Sequence, residues 1–160
     1  MSSITYEKLI EEELNRMHLN SRFPEMLQYM QHGKVSVYEH CINVAYMSCR
    51  IAIKFNLKVN YSLLIRGALL HDYFLYDWHE PSNDHKLHGF HHSKRALKNA
   101  REDFNLTPKE DNIILRHMFP LTPIPPNCLE SWIVCLADKI SAIDETFSFT
   151  KIKRRCFISY

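Results

Sequence analysis

The sequence predicts an all-α protein, a single compact bundle of about six to seven helices over residues 1–160. Only three glycines occur in the whole chain, which disfavours a turn-rich β fold. Apolar residues recur at helical spacing, and capping residues precede several of these segments. We expect a core at 36–147, N-terminal helices within 1–33 and a basic tail at 151–160.

In the first half of the chain, periodicity and capping signals place four helices. Residues 4–18 form the first helix, and a short second helix follows Ser21 and ends near Gly33. Ser36 caps a long helix from Val37 to about Phe55. Asn60 or Tyr61 opens the next helix, YSLLIRGALLHD, which is apolar on most sides and is therefore expected at the centre of the bundle.

The second half contains two loops and three further helices. Residues 73–90 combine turn formers with aromatic side chains, a composition typical of a functional loop. A helix resumes near Phe90 and runs to about Phe104. Thr107, Pro108 and Glu110 form a capping box for a helix that ends near Met118. Prolines interrupt 119–127, and Asn127 starts a last helix that runs through about Phe147.

Charge and cysteine usage limit the compartment and the partners. The net charge of +2 is too small to indicate a nucleic acid polymer or a membrane surface. We interpret the basic residues of the tail as a solvated terminus, with a phosphate-bearing partner as the alternative: Lys151, Lys153, Arg154 and Arg155. Five scattered cysteines and no signal segment favour a cytoplasmic protein with reduced thiols. The sequence leaves open whether the protein forms an oligomer.

The pair His71–Asp72 stands at the end of the very apolar fourth helix. An ionised carboxylate is costly to bury there unless it is paired or binds a metal. Neighbouring residues point about 100° apart on a helix, so both can reach one site only where the helix ends or where Asp72 bridges two ions. The alternative is a solvent-facing Asp72 beside a His71 that complements the helix dipole.

Two more residues of the same chemistry lie on apolar helices. His40 occupies the long capped helix, and Asp138 lies in the most apolar part of the last one. Taken singly, His40 could be a packed core histidine and Asp138 could pair with Lys139 or Arg66. A metal gives His40, Asp138 and the His71–Asp72 pair one joint explanation. Imidazole and carboxylate ligands suit a divalent transition metal such as Fe, Mn, Zn or Ni.

Three further histidines are candidates for a second metal position. His88 and His92 are four residues apart and would share one helix face. His117 closes the capped helix before the proline-rich loop, where the alternative is stabilisation by the helix C-terminus. Two ions a few ångströms apart can activate water and clamp a phosphoryl oxygen, so a binuclear site would favour phosphate chemistry.

An ordered set of His, then His-Asp, then a distant Asp resembles the HD superfamily of metal-dependent phosphohydrolases. The segments that carry the resemblance are EHCINVAY with His40, ALLHDY with His71 and Asp72, and CLADKISAIDE with Asp138. The likeness covers roughly residues 36–145. It implies an all-helical fold, a bound divalent metal and phosphohydrolase activity.

The resemblance extends to the branch of that superfamily that binds two metals. HHSKRALKNA is similar to its additional helix and maps the first extra ligand to His92, with Ser93 where proline is usual; His88 is the alternative. LRHMFP supplies the second extra ligand, His117. By this analogy Asp72 bridges two ions. The glycine-tyrosine-proline motif of the cyclic-dinucleotide branch is missing, so that substrate is not predicted.

The leading hypothesis is hydrolysis of a nucleotide or another small phosphate ester. Asp72 would be central to catalysis, and Lys139 or Arg66 could neutralise phosphoryl charge unless they form ordinary salt bridges. The loop aromatics could stack on a base or simply pack: Phe74, Tyr76 and Trp78. Two competing hypotheses are a di-iron oxygenase on the same ligands and a non-catalytic, metal-containing ligand-binding or interaction module.

Overall fold

Most of the chain folds into helices, as its apolar periodicity predicts. The computed structural model describes residues 3–32, 35–77 and 88–147. The predicted basic tail at 151–160 and the aromatic Trp78 lie outside the described residues. The helices are α1 (Ser3–Asn20), α2 (Val37–Lys54), α3 (Tyr61–Leu70), α4 (His88–Asp103), α5 (Pro108–Arg116) and α6 (Leu129–Phe147). The all-α class is confirmed, and the helix bounds fall within about two residues of those expected.

Capping explains where three of the helices begin. The Ser36 hydroxyl accepts from the Glu39 backbone N–H at 3.2 Å, and the Glu39 carboxylate accepts from Ser36 N–H at 3.1 Å. Thr107 and Glu110 form the same reciprocal box at α5. Asn60 caps α3 by accepting from the Leu63 N–H. Each box satisfies backbone donors that the first turn of a helix leaves unpaired.

Helix α6 does not start at Asn127, where the sequence prediction placed it. The helix begins at Leu129, and the Cys128 carbonyl accepts the first bond from the Trp132 N–H at 3.1 Å. The Asn127 backbone N–H donates to Oδ1 of Asn112 at 3.1 Å. The end of the proline-rich loop is thus tied to α5 rather than to α6.

The segment between Ser21 and Gly33 was predicted as one short helix, and that prediction is wrong in its second half. A 3-10 helix spans Phe23–Gln28, and strand β1 (Met30–His32) pairs antiparallel with β2 (Val35–Ser36). Phe23 and Met26, three residues apart, are both fully buried. That spacing suits a 3-10 turn as well as an α-helix, so the burial pattern cannot distinguish the two.

Helix α3 lies at the centre of the bundle, as its composition predicts. Its residues Leu64, Ile65 and 67–70 are all buried. Helix α2 packs against α3 and α6, while α5 packs against α3, α4 and α6. Among the described residues, no helix combines the length and the apolar character that crossing a bilayer requires.

Helices α3 and α5 approach closely at Gly67. A Cβ atom added at Gly67 would clash with the Ile113 Cδ1 atom and would lie 3.1 Å from Cγ2 and 3.2 Å from Cβ of that residue. Ile113 is fully buried and has little room to withdraw. The absence of a side chain at Gly67 therefore sets the distance between the two helices.

We expect Gly67→Ala to lower the free energy of unfolding by about 1–2 kcal/mol, because overpacking exceeds the roughly 1 kcal/mol that alanine gains in helix propensity. Urea denaturation measures it. The same change in an Ile113→Val background should be less destabilising, since valine lacks the clashing Cδ1 atom. An unchanged or increased stability of Gly67→Ala would show that the helices separate freely.

Candidate metal centre

Five helices deliver six buried residues to one place in the bundle. The set comprises every histidine and aspartate of the leading sequence prediction: His40 from α2, His71 and Asp72 from the end of α3, His92 from α4, His117 from the end of α5 and Asp138 from α6. None is more than 9% exposed. Their ligand atoms form three overlapping groups, with all atoms of a group within 4.8 Å of one another.

Asp72 lies at the middle of the cluster and faces two sets of imidazoles. Its Oδ1 atom is 3.2 Å from Nε2 of His92 and 3.3 Å from Nε2 of His117. Its Oδ2 atom is 3.5 Å from Nε2 of His71 and 3.8 Å from Nε2 of His40. The two oxygens of one carboxylate therefore face two different pairs of imidazoles.

Asp138 completes the group on the Oδ2 side. Its Oδ1 atom is 3.1 Å from Nε2 of His40 and 3.7 Å from Nε2 of His71. On the other side, Nε2 of His92 and Nε2 of His117 are 2.9 Å apart. The cluster thus divides into a half with two histidines and Asp138 and a half with two histidines, and Asp72 is common to both.

The other ring nitrogen of three histidines is held by a fixed acceptor. The Nδ1 atom of His71 donates to the Ala68 carbonyl at 2.7 Å, and that of His117 donates to the Ile114 carbonyl at 2.8 Å. His40 Nδ1 bonds Oε2 of Glu145 at 2.8 Å. Such bonds fix the ring orientation and tautomer, so that the Nε2 lone pair points into the cluster, as metal-ligating histidines require.

Two buried atoms of the cluster lack an ordinary hydrogen bond. They are Nε2 of His71 and Oδ1 of Asp72. A buried polar atom without a partner is unfavourable by about 1–3 kcal/mol. A divalent cation would satisfy both atoms at once, because imidazole nitrogen and carboxylate oxygen are common donors to transition metals. The donor set and these unsatisfied atoms fit a metal.

The electrostatics of the cluster also favour a cation. Burial alone would raise the pKa of Asp72, but the neighbouring imidazoles of His71 and His92 hold it well below its usual value. Burial would lower the pKa of His40, yet its bonds to Asp138 and Glu145 raise it to about 10. Burial lowers the pKa of His117. Ionised carboxylates therefore face neutral or cationic rings, where a metal can replace protons.

Two supporting residues were missed by the sequence reasoning. The Gln31 amide donates from Nε2 to Oδ2 of Asp72 at 2.6 Å. Glu145 accepts from both His40 and Asn43 Nδ2, the latter at 2.8 Å. Glu145 lies two turns beyond Asp138 on the same helix, a spacing that could have revealed it. Gln31 gave no such signal, because its strand was not predicted.

The two predicted catalytic cations bind groups other than the candidate ligand atoms. The Lys139 ammonium donates to the His117 carbonyl at 2.9 Å and to the Cys135 carbonyl at 3.2 Å. The Nε atom of Arg66 lies 3.6 Å from Oε1 of Glu13, and its Nη1 atom lies 3.5 Å from Oε1 of Glu110. Its Nη2 atom donates to the Asn105 carbonyl. The structure therefore does not bring the Arg66 guanidinium to the candidate ligands. Lys139 links α6 to the backbone of His117 at the end of α5.

The predicted substrate-stacking aromatics differ in position. Phe74 is only 2% exposed, and its ring packs edge-on against His92 with 5.8 Å between centroids. Tyr76 is half-buried and packs against Phe74. The Cζ atom of the Arg95 guanidinium lies 4.8 Å from the centroid of the Tyr76 ring. Phe74 therefore supports a candidate ligand instead of offering a face for stacking. The side chain of His88, the alternative to His92, is outside the described part.

Comparison with known proteins agrees with this arrangement. The model of the family described as HD domain matches residues 37–143, which include all six clustered residues. No curated protein and no solved structure matches the chain significantly. The family match covers well over half of the 160 residues. The chain belongs to the HD domain family.

Proposed function

We propose that this protein is a metal-dependent phosphohydrolase that acts on a nucleotide or another small phosphate ester. The observation that carries the proposal is the Asp72 carboxylate, whose oxygens face two different pairs of imidazoles. Paired metal sites that share a carboxylate are typical of enzymes that hydrolyse phosphate esters. HD domain proteins are generally enzymes of this class, which supports the same conclusion.

The residues of the chain have separable roles in this proposal. His40, His71 and Asp138 would hold one ion, His92 and His117 a second, and Asp72 both. When bound, Fe, Mn, Zn or Ni ions supply an activated water and a Lewis acid for the phosphoryl oxygen. Glu145 and the Ala68 and Ile114 carbonyls keep the rings oriented. Gln31 holds Oδ2 of Asp72 in place.

The negative charge of the substrate phosphate would be neutralised mainly by the metal centre. Lys139 and Arg66 already bind carbonyls and carboxylates, so they contribute little to neutralising it. Exclusion of bulk water by the buried cluster strengthens each electrostatic interaction with the substrate. Catalysis here would therefore depend on the ligand set more than on a separate cationic side chain.

Asp72→Ala should remove metal binding and turnover together, because both halves lose their shared ligand. We expect about two transition-metal ions per wild-type chain and close to none in the variant. Elemental mass spectrometry of anaerobically purified, reconstituted protein measures the metal. A panel of nucleotides and simple phosphate esters measures hydrolysis, and circular dichroism checks the helices.

Asp111→Ala is the matched control, since this acid on α5 pairs with Arg101 away from the cluster. It should keep both metal and activity. Full activity in Asp72→Ala would refute the site. Metal without hydrolysis of any ester in wild type would refute the phosphohydrolase assignment, and oxygen uptake by an iron-loaded protein would point to an oxygenase.

His92→Ala tests whether the cluster divides into two halves. The variant loses a ligand from one half only, so about one ion per chain should remain. His91→Ala alters the adjacent, exposed histidine and should keep the full metal content. Loss of both ions, or retention of both, in His92→Ala would contradict the division.

Glu145→Ala tests the support of His40. Loss of the acceptor for Nδ1 frees the ring, and we expect metal affinity to fall about 10–100-fold, as for other residues that orient a ligand. Competition with a chromophoric chelator gives the affinity. Thr146→Ala, at the next and exposed position, is the control and should leave it unchanged. An unaltered affinity in Glu145→Ala would show that the bond to His40 does not matter.

A further inference from the structure

The outer face of α6 is apolar along its whole length. Every exposed residue of this helix except Thr146 is a large hydrophobic side chain. They are Leu129 (42% exposed), Trp132 (45%), Leu136 (49%), Ile140 (36%), Ile143 (55%) and Phe147 (63%). We call these six residues the α6 stripe. Scattered apolar residues are normal on a protein surface, whereas a continuous row indicates a binding surface.

Other surface helices of the same chain do not share this property. The exposed side chains described on α4 are one histidine and four charged residues: His91, Lys94, Lys98, Arg101 and Glu102. On α1 most of the exposed positions are charged or polar as well. The stripe is therefore a local feature of α6 and not a general consequence of the composition.

The stripe is straight and lies on the side of α6 turned away from the metal centre. Its members follow one another at intervals of three or four residues, which keeps them on one face of a helix. Asp138 and Glu145, which face the cluster, point to the opposite side by the same count. The row from Leu129 to Phe147 is about 27 Å long at 1.5 Å per residue.

The exposed area of the stripe is close to the area that one partner buries in a small protein–protein interface. With about 200 Å² for a large side chain, the exposed fractions of the six residues correspond to on the order of 600 Å². A standard interface buries about 800 Å² on each partner, including polar atoms at its margin. One copy of the stripe thus has the size of one side of a modest dimer interface.

We propose that the α6 stripe is the interface of a symmetric homodimer, in which α6 packs antiparallel to α6 of a second copy. Five of the six side chains are self-complementary about a twofold axis near Ile140, and Leu129 lies at the margin of the contact. In that register Trp132 meets the partner's Phe147, Leu136 meets the partner's Ile143, and Ile140 meets the partner's Ile140. Aromatic rings pair with aromatic rings and aliphatic chains with aliphatic chains, and the stripe brings no charge to the contact.

Sedimentation velocity of the full chain tests the dimer. We expect the mass of the wild-type species to be about twice the 19.0 kDa of one chain. Leu136→Lys should raise the dimer dissociation constant by roughly 100-fold or more, because the dimer would bury two unpaired ammonium groups. Lys98→Glu, a change at an exposed position of α4, should leave the dimer intact.

Cross-linking tests the register independently of dimer strength. Ile140→Cys places two thiols together at the twofold axis, so mild oxidation should give a covalent dimer, while wild type and Lys98→Cys should not. A monomeric wild type at tens of micromolar, or a Leu136→Lys variant that stays dimeric, would overturn the proposal.

Discussion

The buried carboxylate of Asp72 is the group on which the rest of the molecule depends. A charged side chain with 1% exposure requires compensation that no single neighbour supplies. Four imidazoles from four helices surround it, and Gln31 from β1 adds a direct hydrogen bond. Each helix must therefore be placed well enough for one ring nitrogen to reach the same small volume.

Helix termini and close packing provide that placement. His71 and His117 both stand at the C-terminal end of a helix, and both use Nδ1 to bond the carbonyl three residues earlier. From the sequence alone, helix-end stabilisation and metal binding were alternative roles for these histidines. The structure shows that one ring can do both, since Nδ1 satisfies the helix end while Nε2 remains available to the cluster. The contact of Gly67 with Ile113 brings these two helices together.

The helices and most of the clustered residues could be predicted because they leave local signals, whereas His92 was assigned through the family resemblance, with His88 as the alternative. Capping boxes at Ser36 and Thr107 mark helix starts, and a histidine or acid in an apolar helix is conspicuous. The contribution of Gln31 could not be predicted, because the whole segment from Ser21 to Gly33 was interpreted as one helix and strand β1 was not expected. The orientation of Lys139 was equally inaccessible, since a long side chain beside a candidate ligand can point to any acceptor within reach.

Helix α6 takes part in both the candidate metal centre and the proposed dimer interface. Its inner face carries Asp138 and Glu145, and its outer face carries the stripe. A helix held on both faces has less freedom to shift, so a contact on the stripe would restrict the position of Asp138 relative to His40. If dimerisation strengthens metal binding in this way, metal binding must strengthen dimerisation by the same factor, because the two equilibria are thermodynamically linked. The affinity of one copy for another would then depend on whether the centre holds its metal.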